Sequence, residues 1–126
     1  MNHRLAIAIE ENTNGKHTVA EHFGRCSSFI VLEIDPQKQI VKRENQFNPF
    51  YGHHSGACQL PGYIQQFDVN TIIAGGMGQK AVSNFHNYNI EVITAPGLEF
   101  EEALNRFLEG KLKGYQECAG HSHNCG

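Results

Sequence analysis

No stretch of this 126-residue sequence comes near the eighteen or more consecutive apolar residues of a membrane-spanning helix. The apolar run in the opening MNHRLAIAIEEN is also too short for a secretory signal. Both absences set the expectation of a cytoplasmic protein with no membrane partner. Basic residues are few, with ten Lys and Arg against thirteen Asp and Glu for a net charge of -3. Without clustered cations the chain lacks the electrostatic footprint of a phosphate-backbone binder, so no nucleic acid partner is expected. Cysteine is limited to Cys26, Cys58, Cys118 and Cys125. In a reducing compartment such residues read as thiols or ligands rather than disulfides.

Catalytic signatures are missing too. There is no G-x-S-x-G nucleophile setting, and although Cys58 with His53 can be drawn as a dyad, no oxyanion hole or substrate pocket goes with it. AGGMG (residues 74–78) has G-G-x-G spacing in place of the dinucleotide fingerprint G-x-G-x-x-G, and no Lys-Ser or Lys-Thr follows it as in a P-loop. The expectation is a protein that is not an enzyme.

What is present begins with RLAIAIE (residues 4–10), whose nearly continuous apolar character suits a central strand buried on both faces. SFIVLEID and the alternating IVKRENQ, joined by the turn PQKQ, complete an antiparallel meander. ACQLPGYIQQF reads as a helix that Pro61 shortens or delays, because proline suits a first turn and not an interior. VNTIIAGGMG is a strand with a Gly-rich turn, QKAVSNFHNY a helix and IEVITA a strand. GLEFEEALNRFLEGKLKG is an amphipathic helix stopped by Gly110 or Gly114.

The order β-β-β-α-β-α-β-α implies an α/β fold of ribonuclease-H-like type, a five-stranded mixed sheet in order 3-2-1-4-5 flanked by helices. A nuclease of that fold needs carboxylates on its first and fourth strands. Here the first has only Glu10 at its end, and Asp68 precedes the fourth. The length suits one α/β domain over residues 1–117 with a Cys/His-rich tail at 118–126.

Histidine and cysteine gather at three places. AEHFGRC sets His22 and Cys26 four apart in a loop, where Gly24 lets imidazole and thiolate converge on one soft or borderline metal. A turn in which Cys26 is a small buried hydrophobe is the competing reading. YGHHSGACQLPG offers His53, His54 and Cys58, with Cys58 at a helix start, where the helix dipole favours thiolate. The closing CAGHSHNCG has the spacing C-x2-H-x-H-x-C through Cys118, His121, His123 and Cys125, metal-binding by composition but not a zinc-finger pattern. The amides around Gly75, Gly76 and Gly78 are placed to meet an anion, or else to pack a tight turn.

AEHFGRC, HHSGACQLPGYI, TIIAGGMGQKA and C-x2-H-x-H-x-C together resemble the dinitrogenase iron-molybdenum cofactor biosynthesis family, the nitrogenase accessory domain that carries cofactor and its precursors. The likeness runs from the first strand to the tail. It implies the ribonuclease-H-like fold and non-catalytic binding, carriage or delivery of an iron-sulfur or iron-molybdenum type cluster, with a cluster donor or acceptor protein as partner. By position, the HFGR block falls on His22, Phe23, Gly24 and Arg25, GAC on residues 56–58 and GGMG on residues 75–78. Beside it, the residues themselves suggest a soft, partly open site of Cys26, Cys58 and His22, with Arg25 and the glycine amides offsetting cluster charge and the tail acting as a collecting arm. Simple zinc or copper binding by the same ligands, a protein-interaction domain without metal, and an enzyme with Cys58 as nucleophile are the alternatives.

Overall fold

In a computed structural model of the chain, residues 2–11, 15–51 and 56–112 are described, without the side chains of residues 56–58. The strands are β1 (His3–Glu11), β2 (His17–Val19), β3 (Ser28–Ile34), β4 (Ile40–Phe47), β5 (Thr71–Ala74) and β6 (Glu91–Thr94). The helices are α1 (Gly56–Gln65), α2 (Gln79–Asn87) and α3 (Phe100–Leu108), with a short 3-10 turn at Phe23–Arg25. No helix among the described residues is long and apolar enough to cross a membrane.

β1 is the axis of the sheet. Leu5, Ala6, Ile7, Ala8 and Ile9 are all completely buried, as its continuous apolar character requires of a strand covered on both faces. It pairs antiparallel with β3 and parallel with β5, while β3–β4 is antiparallel and β5–β6 parallel. Alternation sends Ala6, Ala8, Phe29, Val31, Ile72 and Val92 to one face, against Leu60 and Ile64 of α1 and Val82 and Phe85 of α2. Leu5, Ile7, Ile30, Leu32, Ile73 and Ile93 go to the other, against Phe100, Ala103 and Leu104 of α3. The mixed sheet between helices is as expected from the sequence.

The strand count is not. Among the described residues, six strands in the order β4-β3-β1-β5-β6, with β2 paired to β1 off that path, replace the expected five in order 3-2-1-4-5. The added strand, His17–Val19, is held to the end of β1 by the register Ile9↔Val19. Three residues are too few to show a period-2 pattern, so only tertiary pairing reveals it. Pro61 lies inside the ten-residue α1, which starts at Gly56 and is therefore not delayed by it. The proline costs one backbone donor, and the burial of Leu60 and Ile64 beside it holds the helix nonetheless.

Two turns follow local chemistry. Asp35 Oδ1 accepts from the Gln37 and Gln39 amides at 2.9 and 2.8 Å, closing the β3–β4 hairpin with Lys38 in left-handed backbone. Gly110 ends α3 at φ 75°, its N–H donating to the Phe107 carbonyl at 3.0 Å.

Candidate functional site

Because β1, β5 and β6 are parallel, their carboxyl ends open on one edge of the sheet. β1 and β5 are neighbours, yet the chain from β1 leads to β3 on one side and that from β5 to β6 on the other. In open α/β sheets such a divergence is the place where a crevice at the strand ends usually takes a ligand. Three segments meet there: residues 20–27, residues 75–78 and residues 95–99.

Backbone hydrogen bonds fasten them. The Phe23 amide donates to the Gly75 carbonyl at 2.9 Å, the Val19 amide to the Leu98 carbonyl at 2.7 Å and the Gly97 amide to the Val19 carbonyl at 3.1 Å. Glycine is required at the junction. A Cβ at Gly75 would lie 2.5 Å from Pro96 Cβ and 2.7 Å from the Ala20 carbonyl oxygen. Gly76 has φ 48°, and a Cβ there would run into the Glu21 carbonyl oxygen and lie 2.9 Å from His22 Nδ1. The two glycines therefore serve close packing on the 20–27 loop. Gly78 is the N-cap of α2 and is half-buried.

The 3-10 turn sorts the loop's side chains. Phe23 points into the core, edge-to-face on Phe85 with centroids 5.5 Å apart, while His22 and Arg25 are exposed. Glu21 is exposed too, its amide donating to Glu10 Oε2 at 3.0 Å, so carboxylates share this edge with Arg25.

Cys26 faces the other way. It is completely buried, and burial pushes its thiol up from an ordinary value near 9 to about 12, outweighing the hydrogen bond from Asn48. In the described conformation it is a protonated core thiol and not an outward ligand. Folded protein should therefore leave Cys26 unalkylated by iodoacetamide near pH 8, with modification appearing only in denaturant; rapid native-state labelling of Cys26 would contradict this. Raised above its unfolded value, this thiol supports folding fully below about pH 9, and that contribution falls between pH 9 and about 12, where only the unfolded chain has lost the proton.

Asn48, which the motifs did not single out, organises the loop from beneath. It is completely buried, and its Nδ2 donates to the Cys26 carbonyl at 2.7 Å and lies 3.7 Å from Cys26 Sγ. Its Oδ1 accepts from the Phe50 amide at 2.8 Å, and its own amide donates to the Ser27 carbonyl at 3.0 Å. The available signal was Asn-Pro in NQFNPF, since Asn bonding its own backbone two residues on marks a turn. Asn48→Ala strands both partners and should cost about 1–3 kcal/mol in urea unfolding. A loss near zero would mean that the partners find other bonds.

Cys58 lies in the first turn of α1, a helix that packs against the 3-10 turn, but its side chain is outside the described residues. His53, His54, Cys118, His121, His123 and Cys125 also fall outside them. Among the described residues no three His, Cys, Asp or Glu side chains converge as a metal site. α3 runs away from the crevice: it starts beside β2, where Thr18 bridges Glu99, and ends with Phe107 against His3 at the opposite end of β1, 5.6 Å between ring centroids.

The sequence model of the family described as dinitrogenase iron-molybdenum cofactor matches residues 3–110, which takes in every strand and helix named above. The chain belongs to this family. An uncharacterised protein of Methanocaldococcus jannaschii is 30% identical over 117 residues, covering 90% of this chain and 92% of its own. The apo form of the orange protein from Desulfovibrio gigas shares the fold, with a TM-score of 0.72 at 23% identity over 89% of this chain and 92% of that one. In this iron-molybdenum cofactor family member, the matched region ends at Gly110, before the Cys/His tail begins.

Proposed function

We propose that the chain binds and hands on an iron-sulfur or iron-molybdenum type cluster without catalysing a reaction, using the crevice where β1 and β5 diverge. The observation that carries this reading is the fastening of the His22–Arg25 turn to the 75–78 turn through the Phe23 amide and Gly75 carbonyl, at the strand ends of a chain in the iron-molybdenum cofactor family. The same reading takes the mixed sheet as ribonuclease-H-like, with its nuclease carboxylates missing.

The cluster is cargo, not a resident cofactor, which suits an exposed and incomplete ligand set. His22 offers an imidazole at the rim and Arg25 a positive charge for an anionic sulfide-rich cargo. The thiolates are assigned to Cys58, at a helix N-terminus, and to the tail cysteines Cys118 and Cys125, with His53, His54, His121 and His123 as further donors. Cys26 enters the set only if the loop turns its thiol outward; otherwise it supports the loop from within. The amides of residues 75–78 supply hydrogen-bond donors at the rim. A donor or acceptor protein exchanges the cargo.

Anaerobic reconstitution with ferrous iron, sulfide and molybdate tests this. Full-length protein should retain iron together with acid-labile sulfide, and Cys58→Ser combined with Cys118→Ser and Cys125→Ser should lose most of both. Retention of zinc or copper without labile sulfide would favour the simple metal-binding alternative. Unchanged iron and sulfide in the triple variant would sink the thiolate assignment.

A further inference from the structure

Among the described residues, the open edge of the sheet on the meander side is β4, eight residues long and joined only to β3. Three of the large hydrophobic residues exposed among the described residues lie on it: Ile40, Val41 and Phe47. A long, exposed edge is a template for another strand, and proteins commonly block it with charge. β4 carries Lys42, Arg43 and Glu44 at its middle, and their order admits one kind of partner.

We propose that β4 is a self-recognition edge, through which a second copy of this chain pairs antiparallel about a twofold axis at Arg43 and continues the sheet across a homodimer. In an antiparallel ladder, residues directly opposite share a face and turn their backbone groups either both toward or both away from the partner strand. A twofold pairing of identical strands therefore centres on a residue, and few centres are available. Centring on Lys42 sets lysine against lysine, and centring on Glu44 sets glutamate against glutamate. Centring on Asn45 puts Glu44 against Gln46 and Arg43 against Phe47. Only the register centred on Arg43 opposes Lys42 to Glu44 of the second copy, and does so twice.

The side chains are already arranged for it. Lys42 Nζ and Glu44 Oε2 lie 3.9 Å apart on one face, with side chains 56% and 41% exposed, so the twofold would close them into a four-charge ring. The residue on the axis would be a like-charge pair, but Arg43 is drawn aside. Its guanidinium lies 4.8 Å over the Phe100 ring and 3.7 Å from Glu101. The same three charges disfavour the neighbouring registers, so the edge resists indiscriminate pairing while accepting its own copy.

Sedimentation equilibrium of the full chain, from micromolar to millimolar, tests the proposal beside Lys42→Glu, Glu44→Lys and the double exchange. Either single reversal should raise the dimer dissociation constant about tenfold, since two cross-strand pairs turn repulsive, and the double exchange should restore it. Both side chains are exposed, so unchanged thermal melts confirm folding. A mixed sample of labelled and unlabelled protein should show intermolecular proton contacts between Lys42 and Glu44. A monomer throughout the range, a dimer indifferent to both reversals, or failure of the double exchange to restore pairing would each overturn it. Iron and labile sulfide retained by the single variants are measured separately, so this result stands apart from the cargo reading.

Discussion

Phe23→Ala is expected to remove about 3–5 kcal/mol of stability, the range for truncating a fully enclosed aromatic ring. The ring is 1% exposed and packs in the cluster that holds Leu60 and Ile64 of α1, Met77 of the 75–78 turn, Phe85 of α2 and Phe29 of β3. It contributes area, an edge-to-face contact with Phe85, and the anchoring of a turn at which His22 and Arg25 are exposed. Chemical denaturation should show a lower midpoint with an unchanged slope. His22 and Arg25 are exposed on the same turn, so on the proposed cargo reading retention should fall even under conditions where the variant remains folded. A loss below about 1 kcal/mol would show that the turn collapses onto the vacated space with little penalty.

Gly76→Ala comes next, at about 2–4 kcal/mol, for a different reason. No cavity forms. The added methyl meets the Glu21 carbonyl oxygen and lies 3.0 Å from His22 Cα, both backbone atoms that cannot swing aside, and the residue must also keep φ 48°. Either the 20–27 loop lifts from the 75–78 turn or the turn rearranges. Gly110→Ala is the informative control, since Gly110 also has positive φ but would meet nothing within 4 Å among the described residues. Its loss should be confined to the backbone cost, about 1 kcal/mol. Equal losses at the two glycines would show that the close approach at Gly76 is unimportant.

Much of the fold is legible in the sequence because burial is periodic. The unbroken RLAIAIE announces β1 as central, and the spacing of Phe100, Leu104 and Phe107 announces α3. What escapes is what only a partner segment decides: β2 exists because the end of β1 is free to pair, and α1 tolerates Pro61 because its flanking residues are buried. The site is less legible than the fold. Spacing brought His22 and Cys26 together in the loop but cannot say which faces inward, and the 3-10 turn places one in solvent and the other in the core. The glycine-rich turn admitted anion binding or close packing, and the approach of Ala20, Glu21 and Pro96 establishes the packing role directly. Asn48 carried only the weak mark of an Asn-Pro turn, since a side chain bridging two segments has no periodicity to betray it.

The course of α3 sets a tether length for the tail. Since the helix delivers the chain to the far end of β1, a ligand in the tail must travel back along the sheet to serve the crevice of its own molecule. The distance from His3 to Ile9 along β1 is about 20 Å, and the six residues from Leu112 to Cys118 span at most about 20–22 Å when fully stretched. Contour length thus allows Cys118 no more than about that distance, whereas it allows Cys125, thirteen residues from Leu112, about 43–47 Å. On the proposed cargo reading, the two cysteines of C-x2-H-x-H-x-C are therefore chemically alike but unequal in effective concentration at the crevice.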